Sequence, residues 1–97
     1  MQSRVIRLEN ETGLHLRPAG HLCELTARYR ARVTFDHQGQ ISDAKSVLSV
    51  LAAGVKGGDT ITLYCDGPDE EAAMEAVTAM FLERLSGVVL EEPQDQD

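Results

Sequence analysis

The sequence predicts an α+β two-layer sandwich in the element order βαββαβα, and three observations carry that prediction. Four short stretches alternate apolar and polar residues, three longer ones repeat apolar residues at helical spacing, and Gly, Pro, Asn and Asp punctuate the intervals. Strands with one apolar face can bury it only beneath the helices, which makes two layers. At 97 residues and 42% hydrophobic content the chain supports one modest core. It has no room for a large enclosed substrate cleft.

The first strand is read at Val5-Ile6-Arg7-Leu8-Glu9, with Ile6 and Leu8 on one face, and Asn10-Glu11-Thr12-Gly13 turns the chain. From Leu16 to about Arg28, Ala19, Leu22, Cys23, Thr26 and Tyr29 form an apolar helical stripe flawed by Gly20. Arg32 to Asp36 is a strand with Val33 and Phe35 inward, and His37-Gln38-Gly39 turns it into a short strand from Gln40 to about Ser42. Ser46 caps a short helix that Gly54 stops. Its Val47, Leu48, Val50 and Leu51 cover most of the circumference, so some of them are expected at the surface as a docking patch. After the turn Gly57-Gly58-Asp59, Thr60 to Cys65 alternates with Ile61, Leu63 and Cys65 inward. Asp66-Gly67-Pro68-Asp69 leads into a last helix that starts on acids and buries Ala73, Ala76, Val77, Met80 and Phe81. Residues 1–87 are expected to form the domain, and 88–97 an acidic, flexible tail.

The net charge of −7 is concentrated at the end, where Glu91, Glu92, Asp95 and Asp97 have no neighbouring base. Arg4, Arg7, Arg17, Arg28, Arg30, Arg32 and Lys45 all lie in the first half. An acidic chain with few aromatics is a poor nucleic-acid binder, although local basic patches can steer an acidic protein partner. No apolar run reaches membrane-spanning length and the N-terminus does not read as a signal peptide, so the expected address is cytoplasmic. Cys23 and Cys65 are far apart and fit reduced, buried thiols better than a disulfide or a zinc site. No metal and no cofactor is expected. His21 reads as a solvent-facing helix residue, and His37 sits in the hairpin with no partner pattern.

The chemistry concentrates in Gly13-Leu14-His15-Leu16-Arg17-Pro18-Ala19. A histidine directly before a helix start meets unpaired N–H groups and the positive end of the peptide dipoles, so a phosphoryl group on its ring finds donors already aimed at it. Arg17 adds a planar, permanently charged fork, and Pro18 suits the first turn because its missing N–H needed no partner there. No acid–base set of a substrate-processing enzyme accompanies them.

This motif, together with Ala44-Lys45-Ser46 opening an apolar helix and the strand segment from Gly57 to Gly67, resembles the phosphocarrier protein HPr family of the bacterial phosphoenolpyruvate-dependent phosphotransferase system. The resemblance spans about residues 1 to 85. It implies an open-faced β-sandwich, a four-stranded antiparallel sheet covered on one face by three helices. It also implies that His15 accepts a phosphoryl group on Nδ1 from phosphorylated enzyme I and donates it to a histidine of an enzyme IIA component, with Arg17 and the first-turn amides holding the oxygens. Ser46 matches the family's regulatory phosphorylation position, served by an HPr kinase/phosphorylase where one is present. The expected partner surface comprises Leu16, Gly20, Lys45, Val47, Leu48 and Leu51, on a monomer.

Glu24, Ala27 and Gln40 stand where members of sugar-uptake systems commonly carry lysines, and Lys45 with the Arg28-Arg30-Arg32 run is the available compensation. The alternatives are a binding module controlled by Ser46 phosphorylation, or a phosphorelay protein of a nitrogen-related branch. Ser46 can be a helix cap and a phosphosite at once.

Overall fold

The computed structural model describes residues 1–9, 13–84 and 88–91, with Arg84 and the last four given as backbone. In chain order it contains β1 (Gln2–Leu8), α1 (Leu16–Thr26), β2 (Arg32–His37), β3 (Gln40–Asp43), α2 (Val47–Ala52), β4 (Thr60–Asp66), α3 (Glu70–Arg84) and β5 (Val88–Glu91). The strands form one antiparallel sheet in the order β3-β2-β4-β1-β5. Ile6 of β1 stands opposite Ile61 of β4, and Phe35 of β2 opposite Leu63. Those residues, with Leu8, Val33 and Cys65, form the covered face; all are buried.

Against that face pack Ala19 and Leu22 from α1, Val50 from α2, and Ala73, Met74, Val77 and Phe81 from α3. Full burial of a side chain the size of Leu, Ile or Phe is worth about 1.5–3 kcal/mol, so these contacts hold helices and sheet together. The opposite face carries Thr34, Thr62 and Tyr64 and is only half-buried. The open-faced α+β sandwich is therefore the architecture of the chain. Both cysteines are buried and free, and desolvation pushes the Cys65 thiol up to about 11.

Three features differ from the sequence reading. The four expected strands are joined by a fifth: β5 pairs with the outer edge of β1, Val88 opposite Leu8 and Glu91 opposite Val5. Val88, Val89 and Leu90 are good strand formers, and β1 offers them an edge with unpaired backbone groups. The expected acidic tail, 88–97, thus begins with a strand, while residues 92–97 lie outside the described residues, as do residues 10–12 of the expected turn and residues 85–87. Second, α1 stops at Thr26 rather than near Arg28. The Thr26 hydroxyl is shared between the carbonyls of Cys23 (3.2 Å) and Ala44 (2.9 Å), and the Arg28 and Tyr29 N–H groups tighten onto Leu25 and Thr26 at 3.1 Å. Third, α3 buries Met74 and Thr78 as well as its expected stripe, whereas Ala76 is half-buried. Arg4 reaches under the helix to donate to the Thr78 hydroxyl at 3.0 Å, which satisfies that buried oxygen.

The link between α1 and β2 is held by the residue before α3. Asp69 accepts from the Arg30 N–H at 2.8 Å and the Ala31 N–H at 2.7 Å, while Glu70 accepts from the Gly67 N–H at 3.0 Å and pairs with the Met1 ammonium at 2.9 Å. A Cβ on Gly67 would lie 2.6 Å from the Ala31 Cα, so glycine is required for this approach. The two backbone donors hold the Asp69 carboxyl below the usual carboxylate range, and the Gly67 N–H with the Met1 ammonium does the same for Glu70. A carboxyl lowered in the folded state stabilises above its unfolded value, about 4, and loses that contribution as pH falls through its folded value. Thermal midpoints should therefore drop below about pH 5. Asp69→Asn, which presents an NH2 group to one of the two donors, should have a lower midpoint at pH 7 and a shallower acid dependence. Parallel acid profiles for the variant and the wild type would contradict this role.

Candidate functional site

His15 is the N-cap of α1. Its backbone is extended (φ −95°, ψ −165°), its carbonyl accepts from the Ala19 N–H at 2.9 Å, and its ring makes no capping bond. Serine or aspartate at this position would occupy the first-turn amides. Histidine leaves them open, and the N–H groups of Leu16 and Arg17 have no hydrogen-bond partner among the described residues. His15, Leu16 and Arg17 are exposed, whereas Leu14 and Pro18 on either side are buried and anchor the segment. No acidic residue lies in the first turn to compete for those donors. The arrangement presents a free imidazole, two amide donors and a guanidinium on one short stretch, which is what a tetrahedral anion bonded to the ring requires.

The approach to His15 is set by a backbone contact. Gly13 has φ +63°, and a Cβ there would come within 2.7 Å of the Lys56 Cα and closer still to the Val55 carbonyl. The Leu14 N–H donates to that carbonyl at 3.1 Å. Gly13→Ala combines a clash with backbone with a left-handed φ, each costing about 1–3 kcal/mol. Its thermal midpoint should fall by several degrees or more, and chemical shifts should move at His15 as well as at Val55. A variant with wild-type stability and an unmoved His15 would contradict the contact.

α1 and α2 run antiparallel, since Ala44 meets Thr26 at one end and Val55 meets Leu14 at the other. Ser46 caps α2: its hydroxyl accepts from the Ser49 N–H at 3.3 Å and its carbonyl from the Val50 N–H at 3.0 Å. It therefore lies at the end of α2 remote from His15. Lys45 is also placed there, its ammonium donating to the Tyr29 carbonyl at 2.7 Å beyond the C-terminus of α1. Of the apolar candidates, Leu48 (80% exposed) and Leu16 (67%) are surface residues, while Val47 and Leu51 are half-buried against the core. Gly20 has open space where a side chain would be.

His37, read from sequence as without a partner pattern, has a partner at each ring nitrogen. Nδ1 is 3.0 Å from the Ala53 carbonyl and Nε2 is 2.8 Å from Asp59 Oδ2. The signal was present, because residue 37 continues the inward parity of Val33 and Phe35, and a buried imidazole requires partners. The Lys56 N–H, followed by this ring, lowers the Asp59 carboxyl. Among the described residues no group of three or more His, Cys, Asp or Glu side chains is placed to hold a metal ion, and no helix is long and apolar enough to cross a membrane.

Comparison with known proteins agrees with this geometry. The family described as PTS HPr component phosphorylation site matches residues 2–83. The phosphocarrier protein HPr of Cupriavidus necator is 40% identical over 87 residues, covering 88% of this chain and 96% of that protein. The HPr-like protein Crh of Halalkalibacterium halodurans is 32% identical over 84 residues, covering 87% of this chain and 99% of that protein. A solved structure of the histidine-containing phosphocarrier protein from Mycoplasma superposes with a TM-score of 0.85 at 25% identity, covering 89% of this chain and 100% of that one. With the family profile spanning β1 to β4, α1, α2 and all but the last residue of α3, and with the same open-faced sandwich in the solved relative, the chain belongs to the HPr family, the phosphocarrier component of the phosphotransferase system.

Proposed function

We propose that the protein is a histidine phosphocarrier that takes a phosphoryl group from phosphorylated enzyme I onto His15 and passes it to a histidine of an enzyme IIA component. The observation that carries this reading is the N-cap imidazole, exposed and without a capping bond, ahead of two amides that have no partner among the described residues. In the accepting step the neutral ring uses its Nδ1 lone pair to form the N–P bond as the donor's N–P bond breaks, and in the donating step it leaves as the neutral ring again. The chemistry needs positioning and charge stabilisation rather than an internal acid or base. The Leu16 and Arg17 amides and the Arg17 guanidinium supply the stabilisation. Because the site is open, the group is held yet remains reachable by the next acceptor. The carrier acts in the cytoplasm as a monomer.

Intact-mass measurement after incubation with enzyme I and phosphoenolpyruvate tests this. One phosphoryl adduct that disappears on acid treatment is expected; no adduct with a competent enzyme I overturns the reading.

The likeness to Crh and the Ser46 cap favour a second role, in which a kinase of the HPr kinase/phosphorylase type modifies Ser46 and the product binds a regulatory partner. Partner binding unchanged in His15→Ala but lost in Ser46→Ala would put that role first.

A further inference from the structure

We infer that His37, paired with Asp59, is a positioning residue for His15: it fixes the 53–59 segment on which the backbone just ahead of His15 is seated. The inference rests on the carrier reading for its catalytic consequence and on the hydrogen-bond pattern for its structural one. The ring is 7% exposed and lies on the covered side of the sheet, so it does not reach the surface at which His15 reacts. It joins the two ends of one connection. Nδ1 meets the carbonyl of Ala53, the C-cap of α2, and Nε2 meets the carboxylate of Asp59, the residue before β4. Each ring nitrogen thus faces an oxygen, one a backbone carbonyl and the other a carboxylate, and the ring bridges the two.

Asp59 extends the brace. Its Oδ2 also accepts from the Lys56 N–H at 3.0 Å, its own N–H donates to the Lys56 carbonyl at 3.0 Å, and its carbonyl accepts from the Leu8 N–H at 2.9 Å. The connection is thereby tied to α2, to the end of β1 and to β2 through His37. Its middle is the surface that receives the active segment: the Val55 carbonyl takes the Leu14 N–H at 3.1 Å, and Gly13 lies against Val55 and Lys56 with no space for a Cβ. Leu14, 4% exposed, directly precedes His15. Two steps of backbone contact thus separate the buried ring from the reacting one. An apolar residue at position 37 would satisfy the core more simply, since a buried imidazole is favourable only when its nitrogens are bonded. What His37 adds is control over where the 53–59 segment sits, and in-line phosphoryl transfer is sensitive to displacements of about 1 Å.

The test compares wild type, His37→Leu and the milder Asp59→Asn. Two readouts are used: the rate of phosphorylation by enzyme I as a function of carrier concentration, and hydrogen exchange at the Leu14 amide relative to the Val77 amide in α3. The expected result is a kcat lowered by about tenfold to a hundredfold with KM nearly unchanged, and Leu14 exchange accelerated while Val77 stays protected. Asp59→Asn should show the same pattern at smaller amplitude. Wild-type kcat and Leu14 protection in a folded variant would overturn the inference, as would protection lost equally at Leu14 and Val77 in both variants, which is global destabilisation. A wild-type protein that takes no phosphoryl group would instead overturn the carrier reading and the catalytic half with it, leaving Leu14 exchange to decide the structural half.

Discussion

His15→Ala is expected to give a folded protein that acquires no acid-labile phosphoryl group from enzyme I and phosphoenolpyruvate. The His15 ring is exposed and makes no capping bond, so its removal withdraws no buried contact, and stability should stay within about 0.5 kcal/mol of wild type. Activity has no such reserve, because the lost nitrogen is the atom to which the phosphoryl group would be bonded. Arg17→Ala should behave differently. The imidazole and the Leu16 and Arg17 amides remain, so transfer should slow by about a hundredfold without vanishing. Arg17→Lys, which keeps the charge but loses the planar fork, should fall between wild type and Arg17→Ala. A phosphoryl adduct of undiminished amount on His15→Ala would place the acceptor elsewhere. An Arg17→Ala rate equal to wild type would leave the amides as the whole anion cradle.

How much of this was legible in the sequence depends on what each residue answers to. The alternation of Ile6 and Leu8, of Val33 and Phe35, and of Ile61, Leu63 and Cys65 reports burial on one face directly, and all of these residues are buried in the fold. The stretch Gly13 to Pro18 was legible because its parts are local: an N-cap, a first-turn proline and a nearby arginine act within one helical turn. β5 was masked by the acids around it. A segment of Val88, Val89 and Leu90 next to a charge run reads as tail until a free sheet edge is supplied, and the edge of β1 is a property of the sheet order. Lys45 reads in the sequence as a compensating base on the partner surface, whereas the direction of its long side chain depends on which carbonyl it meets, here that of Tyr29. His37 shows the same limit from the other side. Its inward parity was readable, whereas its partners Ala53 and Asp59 lie 16 and 22 residues away and meet it only through the fold.

Ser46→Asp is expected to separate stability from docking. Aspartate caps a helix about as well as serine, and its charge favours the positive end of α2, so the thermal midpoint should hold or rise slightly. Ser46→Ala removes the acceptor for the Ser49 N–H and should cost about 0.5–2 kcal/mol. Function should move in the opposite order. Because α1 and α2 are antiparallel, Ser46 sits at the end of α2 away from the Leu14–Val55 contact, and a charge there has little leverage on the orientation of the His15 ring. On the proposed carrier reading, what it would change is the approach of an acidic partner to a docking surface that would include the exposed Leu48, two residues on. The KM for phosphorylation by enzyme I should rise by about tenfold in Ser46→Asp, kcat should change little, and the KM of Ser46→Ala should match wild type. The defect should shrink as ionic strength is raised, since an exposed charge is screened over about 10 Å at 0.1 M salt. A loss confined to kcat and indifferent to salt would show that the added charge disturbs the geometry at His15 instead of the encounter. A phosphate at Ser46, carrying nearly twice the charge of aspartate, should then produce the larger effect of the same kind.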